Sequence, residues 1–193
     1  MGQDDGAERR EHHRLGFAAS IDVQRLDDAL LQQPEALRSK LRSELRMLQW
    51  LALENQYVFV RDSVKRAQPA LAPLIRLIDA KLNFLAGEIL VETALQDCYE
   101  QVHMSATGID FKWPEDVDPG ALCLVRIDPE GTDPALALPA VIQRIEDEHG
   151  RATNRVAARF VALTRDETDA LASWIVTREA RELKQREAAA ELD

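Results

Sequence analysis

Apolar residues recur at three- and four-residue steps in a segment near the middle of the chain. The successive steps are 4, 3, 4, 3 and 4 residues. Their mean, about 3.5, is the period that keeps one stripe of a helix facing a partner helix. The pattern predicts a helix that self-assembles through a seam made of Leu71, Ile75, Ile78, Leu82, Leu85 and Ile89.

The same helix carries apolar residues outside the seam, in a second row at Leu77, Phe84 and Val91 and a partial third at Leu74 and Leu95. A helix that is apolar on several sides needs neighbours on each of them, which favours a bundle of several chains. Mixed Leu and Ile in the seam favour a homotetramer over a dimer, and a trimer stays open. The alternative is an intramolecular helical hairpin that packs on its own domain.

A second long helix is predicted before this one. It begins at Pro34, which suits the first turn of a helix, and ends at Gln68, because a residue before proline leaves the helical region. Each helix is expected to have around 30 residues and to span about 45 Å. The apolar face of the earlier helix follows the same spacing at Leu37, Leu41, Leu45, Leu48, Ala52, Asn55 and Val58.

Short strands are predicted on both sides of the helical block. Residues 15–25 form a weak strand candidate, and apolar residues alternate with a period of two after Val102. Pro119-Gly120 is a turn signal, and Leu136 to Glu146 is a further strand. The alternating positions are Ile109 and Phe111, Leu122 and Leu124, then Val156, Ala158 and Phe160.

A final helix is predicted from Thr164, whose hydroxyl can cap it while Glu167 completes a capping box. Its inner edge is formed by Leu171, Trp174, Ile175 and Arg178, with the Trp174–Ile175 pair docked on the sheet.

Composition and charge limit the possible functions. The net charge of −10 disfavours binding to nucleic acids, and no apolar run is long enough for a membrane helix. The polar N-terminal residues lack the apolar stretch of a signal peptide, so we expect a cytoplasmic protein. Cys98 and Cys123 form no CxxC pair and are interpreted as reduced, partly buried thiols.

No catalytic or metal-binding pattern is present in the sequence. The histidines at 12, 13, 103 and 149 match no common metal site, and Asp166-Glu167 suits a helix start. A catalytic triad, a Gly-rich phosphate loop and an HExxH motif are all missing from the sequence. We therefore expect a protein that is not an enzyme and has no cofactor or metal.

Residues 102–111, Val-His-Met-Ser-Ala-Thr-Gly-Ile-Asp-Phe, contain a Ser-x-x-Gly turn at Ser105 and Gly108 ahead of an alternating strand. This stretch resembles the PilZ family, in which Asp or Asn precedes x-Ser-x-x-Gly; His103 takes the place of that residue. The strand at 156–163 and the helix after it are similar to the end of the family's domain. The resemblance covers residues 102–185, and also 8–25.

The resemblance implies an α+β fold, in which a PilZ-like antiparallel β-barrel is interrupted by two long helices and followed by a C-terminal helix. We predict three parts: an arm and first strand at 1–33, a coiled-coil oligomerisation insertion at 34–101, and the rest of the barrel with its helix at 102–193.

The family also has an Arg-x-x-x-Arg motif before its first strand, which Arg10 and Arg14 match here. The resemblance implies that such arginines hold cyclic di-GMP, as guanidinium groups bind phosphate oxygens and stack on bases. The predicted ligand residues are Arg9, Arg10, Arg14, His103, Ser105 and Gly108.

His103 weakens that site. Neutral imidazole offers a single acceptor and protonated imidazole offers none, so bidentate recognition of guanine is lost. We expect weak or absent binding of cyclic di-GMP, and an oligomeric adaptor with a protein partner in cyclic di-GMP signalling. The family implies an output in motility, surface attachment or virulence. The alternatives are a direct receptor with an arginine arm, or a scaffold unrelated to the messenger.

Overall fold

Six strands form a closed antiparallel barrel in a computed structural model that describes residues 14–90, 98–113, 118–131, 133–147 and 154–190. The order around the barrel is β1-β2-β3-β6-β5-β4. The strands are β1 (Leu15–Arg25), β2 (Glu100–Ser105), β3 (Gly108–Trp113), β4 (Leu122–Pro129), β5 (Leu136–Asp147) and β6 (Asn154–Phe160).

The barrel closes because β1 has two neighbours. Its first half, Leu15–Ala19, pairs with β2, and its second half, Ala19–Arg25, pairs with β4. The barrel therefore leaves no long unpaired edge within the described strands. The weak strand candidate at 15–25 is confirmed as a strand of 11 residues.

Four helices accompany the barrel in the described part of the chain: α1 (Pro34–Lys40), α2 (Arg46–Ala67), α3 (Ala72–Leu90) and α4 (Arg165–Ala190). The helical block lies between β1 and β2, so the predicted antiparallel barrel interrupted by helices and followed by a C-terminal helix is confirmed. The division at residues 33 and 101 stays a prediction.

The prediction of one long helix from Pro34 to Gln68 is wrong. Residues 41–45 form turns, and Leu41 adopts φ −98° and ψ 21°. Leu41 and Leu45 are buried in the barrel core here, and this packing overrides the helical propensity of the segment. The spacing of Leu37, Leu41, Leu45 and Leu48 thus reflects burial against the barrel.

The capping box of α4 is confirmed. The Thr164 N–H donates to the Glu167 carboxylate at 2.8 Å, and the Glu167 N–H donates to the Thr164 hydroxyl at 3.2 Å. Arg38 in α1 donates two further bonds to the same carboxylate, at 2.7 and 2.8 Å. Burial alone would raise the pKa of Glu167, but these hydrogen bonds outweigh it and lower the pKa.

The inner edge of α4 docks as predicted, with Leu171, Trp174, Ile175 and Arg178 all buried. The Trp174 ring meets Phe17 of β1 edge to face at 5.8 Å between centroids. The Arg178 guanidinium lies 4.6 Å from the Phe17 ring centroid and pairs with Asp133. On its outer side α4 packs against α2, where Ser173 donates to Asn55 at 3.3 Å.

Candidate functional site

The Ser-x-x-Gly motif forms the tight turn between β2 and β3. The Ser105 side chain is buried, and its hydroxyl accepts a hydrogen bond from the Thr107 N–H at 3.3 Å. The same hydroxyl lies 3.4 Å from the Gly108 carbonyl oxygen. The serine thus stabilises the turn itself, and its hydroxyl is engaged within the protein.

Gly108 is required by a close approach of two strands. A Cβ at this position would lie 2.5 Å from the Ala158 carbonyl oxygen of β6, a distance that side chains do not tolerate. Beside it the Phe160 N–H donates to the Thr107 carbonyl at 2.9 Å. The motif therefore attaches the β2–β3 turn to the last strand of the barrel.

His103 and Arg14 lie at the same end of the barrel. His103 is exposed on β2 and is the strand partner of Gly16 in β1. The imidazole lies over this glycine, since a Cβ added to Gly16 would be 3.2 Å from the ring. Arg14 is exposed just before β1, and the β1–β2 register, continued by one residue, places it opposite Ser105. The structure thus brings these residues to one edge with Gly108, whereas the predicted ligand residues Arg9 and Arg10 lie outside the described part of the chain.

A further cation at this edge was not predicted from the sequence. Arg159 of β6 is exposed and is the direct strand partner of Gly108. Its alternation with buried Ala158 and Phe160 indicates an outward side chain, but only the β3–β6 register places it beside the turn. Arg14 and Arg159 can attract an anionic ligand, while His103 supplies at most one hydrogen-bond acceptor. We name this group the arginine edge: Arg14, His103, Ser105, Gly108 and Arg159.

A second candidate surface lies on the two long helices. Asp79 of α3 accepts a 2.5 Å hydrogen bond from the Tyr57 hydroxyl of α2, and this bond raises the pKa of Tyr57. Lys65 and Arg61 of α2 lie 3.7 and 3.9 Å from the same carboxylate. This polar cluster joins the two helices, and the alternative that this hairpin packs on its own domain stays a prediction.

The predicted seam of α3 is divided between two environments. Ile75 is 9% exposed, whereas Ile78 is 41% exposed and Leu71 is 37% exposed. Leu74 and Leu77, outside the seam, are each 55% exposed. We name the α3 face the exposed apolar side chains Leu74, Leu77 and Ile78 of α3 together with Leu71 in the short 3-10 turn before it. Leu53 and Val60 of α2 are exposed as well. The side chains of Leu85 and Ile89 lie outside the described residues.

The described residues contain no group of three or more His, Cys, Asp or Glu side chains arranged to hold a metal ion. No helix in the same ranges is long and apolar enough to cross a membrane. Cys98 is exposed and not partly buried as expected, since it precedes β2, whereas Cys123 is buried in the barrel and burial raises its pKa.

The fold and the turn define a small closed β-barrel domain with a Ser-x-x-Gly turn and a capping C-terminal helix. Residues 82–176 match the family model of the PilZ domain. The chain therefore carries a PilZ domain, which confirms the resemblance seen in its sequence.

A solved structure shares the fold. A pathogenic protein from Xanthomonas campestris, described as a new tetrameric PilZ domain self-assembled via an unusual helical bundle, matches with a TM-score of 0.53 and 18% identity over 90% of each chain. The inhibitor of motility from Bacillus subtilis matches 45% of this chain and 44% of its own, with a TM-score of 0.34 and 16% identity. A comparison with curated proteins finds no match.

Proposed function

We propose that this chain is a non-enzymatic PilZ-domain protein of cyclic di-GMP signalling, acting in the cytoplasm as an oligomeric adaptor for a protein partner. Its copies assemble through the α3 face into a homotetramer, and direct nucleotide binding is weak or absent. Motility, surface attachment and virulence are the outputs to test.

The observation that carries assembly is the exposure of the α3 face. Four large apolar side chains on α3 and the turn before it stay open to water in the single chain, and their burial between copies is favourable. The Xanthomonas campestris protein supports this proposal, since it is described as self-assembled via a helical bundle and shares the fold. The PilZ match supports the link to cyclic di-GMP.

A charge introduced on the α3 face tests assembly. Ile78→Asp places a carboxylate where a partner helix is expected, and we predict smaller particles in sedimentation velocity at micromolar concentration. Arg76→Asp is the matched control, because Arg76 lies on the same exposed helix but outside the α3 face. Unchanged association of the Ile78→Asp protein would contradict the proposal.

Calorimetry with cyclic di-GMP separates an adaptor from a direct receptor. The exposed Arg14 and Arg159 favour the receptor, because they offer two guanidinium groups at one edge. The buried Ser105 and the single acceptor of His103 favour weak binding. Sub-micromolar binding that Arg14→Ala abolishes would establish the receptor, whereas weak or undetected binding supports the adaptor.

A further inference from the structure

β1 loses one of its two neighbours halfway along its length. β2 pairs with it as far as Glu100, which lies opposite Ala19, and the residues before Glu100, Tyr99 and Cys98, lie outside the strand. From Ala19 onward only β4 accompanies β1 in the part of the chain that the structure describes. A short stretch of β1 therefore has no strand neighbour on its β2 side among these residues.

The hydrogen-bond pattern shows which backbone groups this stretch presents. Ala18 accepts a 2.9 Å backbone bond from Glu130 just beyond β4, and Leu26 donates one of 2.8 Å to β4. In an antiparallel pair, residues bonded to the partner strand alternate with residues whose N–H and C=O groups point the other way. The even-numbered residues of β1 thus bond β4. Ile21 and Val23 direct their backbone groups to the opposite side, and we name this pair the β1 edge.

The chain turns away from the β1 edge after the strand ends. The Asp28 carboxylate accepts a 2.8 Å bond from the Leu122 N–H of β4, so the segment that follows β1 lies on the β4 side. No described residue bonds the Ile21 or Val23 backbone on the β2 side. Unpaired strand edges of this kind are templates for pairing with another chain.

A cleft of about 430 Å³ opens beside the β1 edge, where β1, β2 and β3 separate. Its apolar lining comprises Ile21, Val102, Phe111 and Trp113. Val102 and Phe111 are buried in the barrel, and Ile21 and Trp113 pack against the same core. The cleft lies at the start of β2, whereas the arginine edge lies at its end, so the two are separate surfaces.

Backbone donors and acceptors two residues apart match an extended peptide, which offers its own N–H and C=O groups at the same spacing. Alternate side chains of such a peptide point to opposite faces. Those on the inner face can enter the apolar cleft, and those on the outer face stay in water. The net charge of −10 favours the approach of a segment with basic residues on that outer face.

We propose that the β1 edge binds an extended segment of a partner protein by strand addition, with an apolar side chain in the cleft and basic residues outside. Such docking gives the adaptor a surface for its protein partner and rests on the proposed function.

Amide hydrogen exchange of the full chain tests whether the β1 edge is open. We expect the Ile21 and Val23 amides to exchange roughly tenfold or more faster than those of Asp22 and Gln24, which bond β4. Equal protection of the four amides would show that the chain itself covers the edge and would overturn the proposal.

A peptide tests the partner. The probe is an end-blocked Lys-Val-Lys-Val-Lys-Val-Lys peptide, and the control is the same peptide with N-methyl groups on its internal amides, which cannot form the strand bonds. At saturation the probe is expected to slow exchange of the Ile21 and Val23 amides about tenfold, and the control to leave it unchanged. Absence of protection by the probe, or equal protection by the control, would overturn the proposal.

A proline variant makes the test specific. Val23→Pro removes an N–H group of the β1 edge and spares the bonds to β4, and Val23→Ala is the matched control that keeps this N–H. We expect fluorescence anisotropy to show about tenfold weaker binding of the labelled probe to Val23→Pro than to Val23→Ala. Equal affinities of the two variants would contradict strand addition.

Light scattering on the same samples reads assembly independently. A tetramer that does not bind the probe would overturn docking at the β1 edge alone. A single chain that binds the probe would support the β1 edge and contradict assembly.

Discussion

The hydroxyl of Tyr57 donates a 2.5 Å hydrogen bond to the carboxylate of Asp79, and this contact joins α2 to α3. Lys65 and Arg61 bring positive charge within 4 Å of the same carboxylate. One side of α3 is thereby kept against α2, and the apolar α3 face is left to solvent.

Loss of this hydrogen bond is expected to loosen α3. In the Tyr57→Phe variant Asp79 loses its shortest contact with α2, and we predict faster hydrogen exchange of the α3 amides with unchanged exchange in the barrel. Tyr99→Phe is the matched control, since Tyr99 is exposed ahead of β2. Equal exchange of α3 in both variants would show that the hydroxyl does not position the helix.

The Arg38–Glu167 pair is expected to be a major contributor to stability. Glu167 is 3% exposed, and Glu167→Gln removes the partner of the Arg38 guanidinium while weakening the α4 cap. We predict a loss of about 3 kcal/mol in the free energy of unfolding, measured by urea denaturation. The exposed-site variant Asp169→Asn is expected to change it by less than about 0.5 kcal/mol.

The same carboxylate predicts a pH dependence. The pKa of Glu167 in the folded chain lies below its ordinary value of 4.5, so the unfolded chain takes up this proton more readily. Its contribution is therefore complete above pH 4.5 and is lost as the pH falls toward the lowered pKa of the folded state. The stability difference between the natural chain and Glu167→Gln should shrink over that range, and a constant difference would exclude this origin.

Local signals in the sequence predicted much of the fold. Three correct predictions involve only residues that are close together in the chain. They are the Thr164–Glu167 capping box, the alternation of buried residues in β6 and the end of helix α2 at Gln68. Contacts between distant residues could not be predicted in this way. Arg38 and Glu167 are 129 residues apart, and Arg159 reaches Gly108 only through strand register.

The seam of α3 illustrates the same limit in the candidate assembly surface. Its three–four spacing marks an apolar stripe, but the stripe alone does not determine which neighbour covers each residue. Ile75 is covered within the chain, while Ile78 is not. Asp79 bonds Tyr57 of α2, and nothing in the local pattern identifies this partner.

Gly108 of the arginine edge and Gly16, the strand partner of His103, offer a matched comparison. In Gly108→Ala the new methyl group meets the Ala158 backbone oxygen, which cannot move without shifting β6, and we predict a loss of about 3 kcal/mol in urea denaturation. In Gly16→Ala the nearest atoms belong to the side chains of Gln101 and His103, which can turn away. A cost below about 1 kcal/mol is expected there. Equal costs at the two positions would contradict the close strand contact.

The proposed assembly joins copies of this chain through the α3 face. Light scattering coupled to gel filtration tests it most directly, because it gives the molar mass in solution without reference to shape. We expect a mass close to four times that of the 21.7 kDa chain at micromolar concentration. A mass equal to that of the single chain under the same conditions would contradict it.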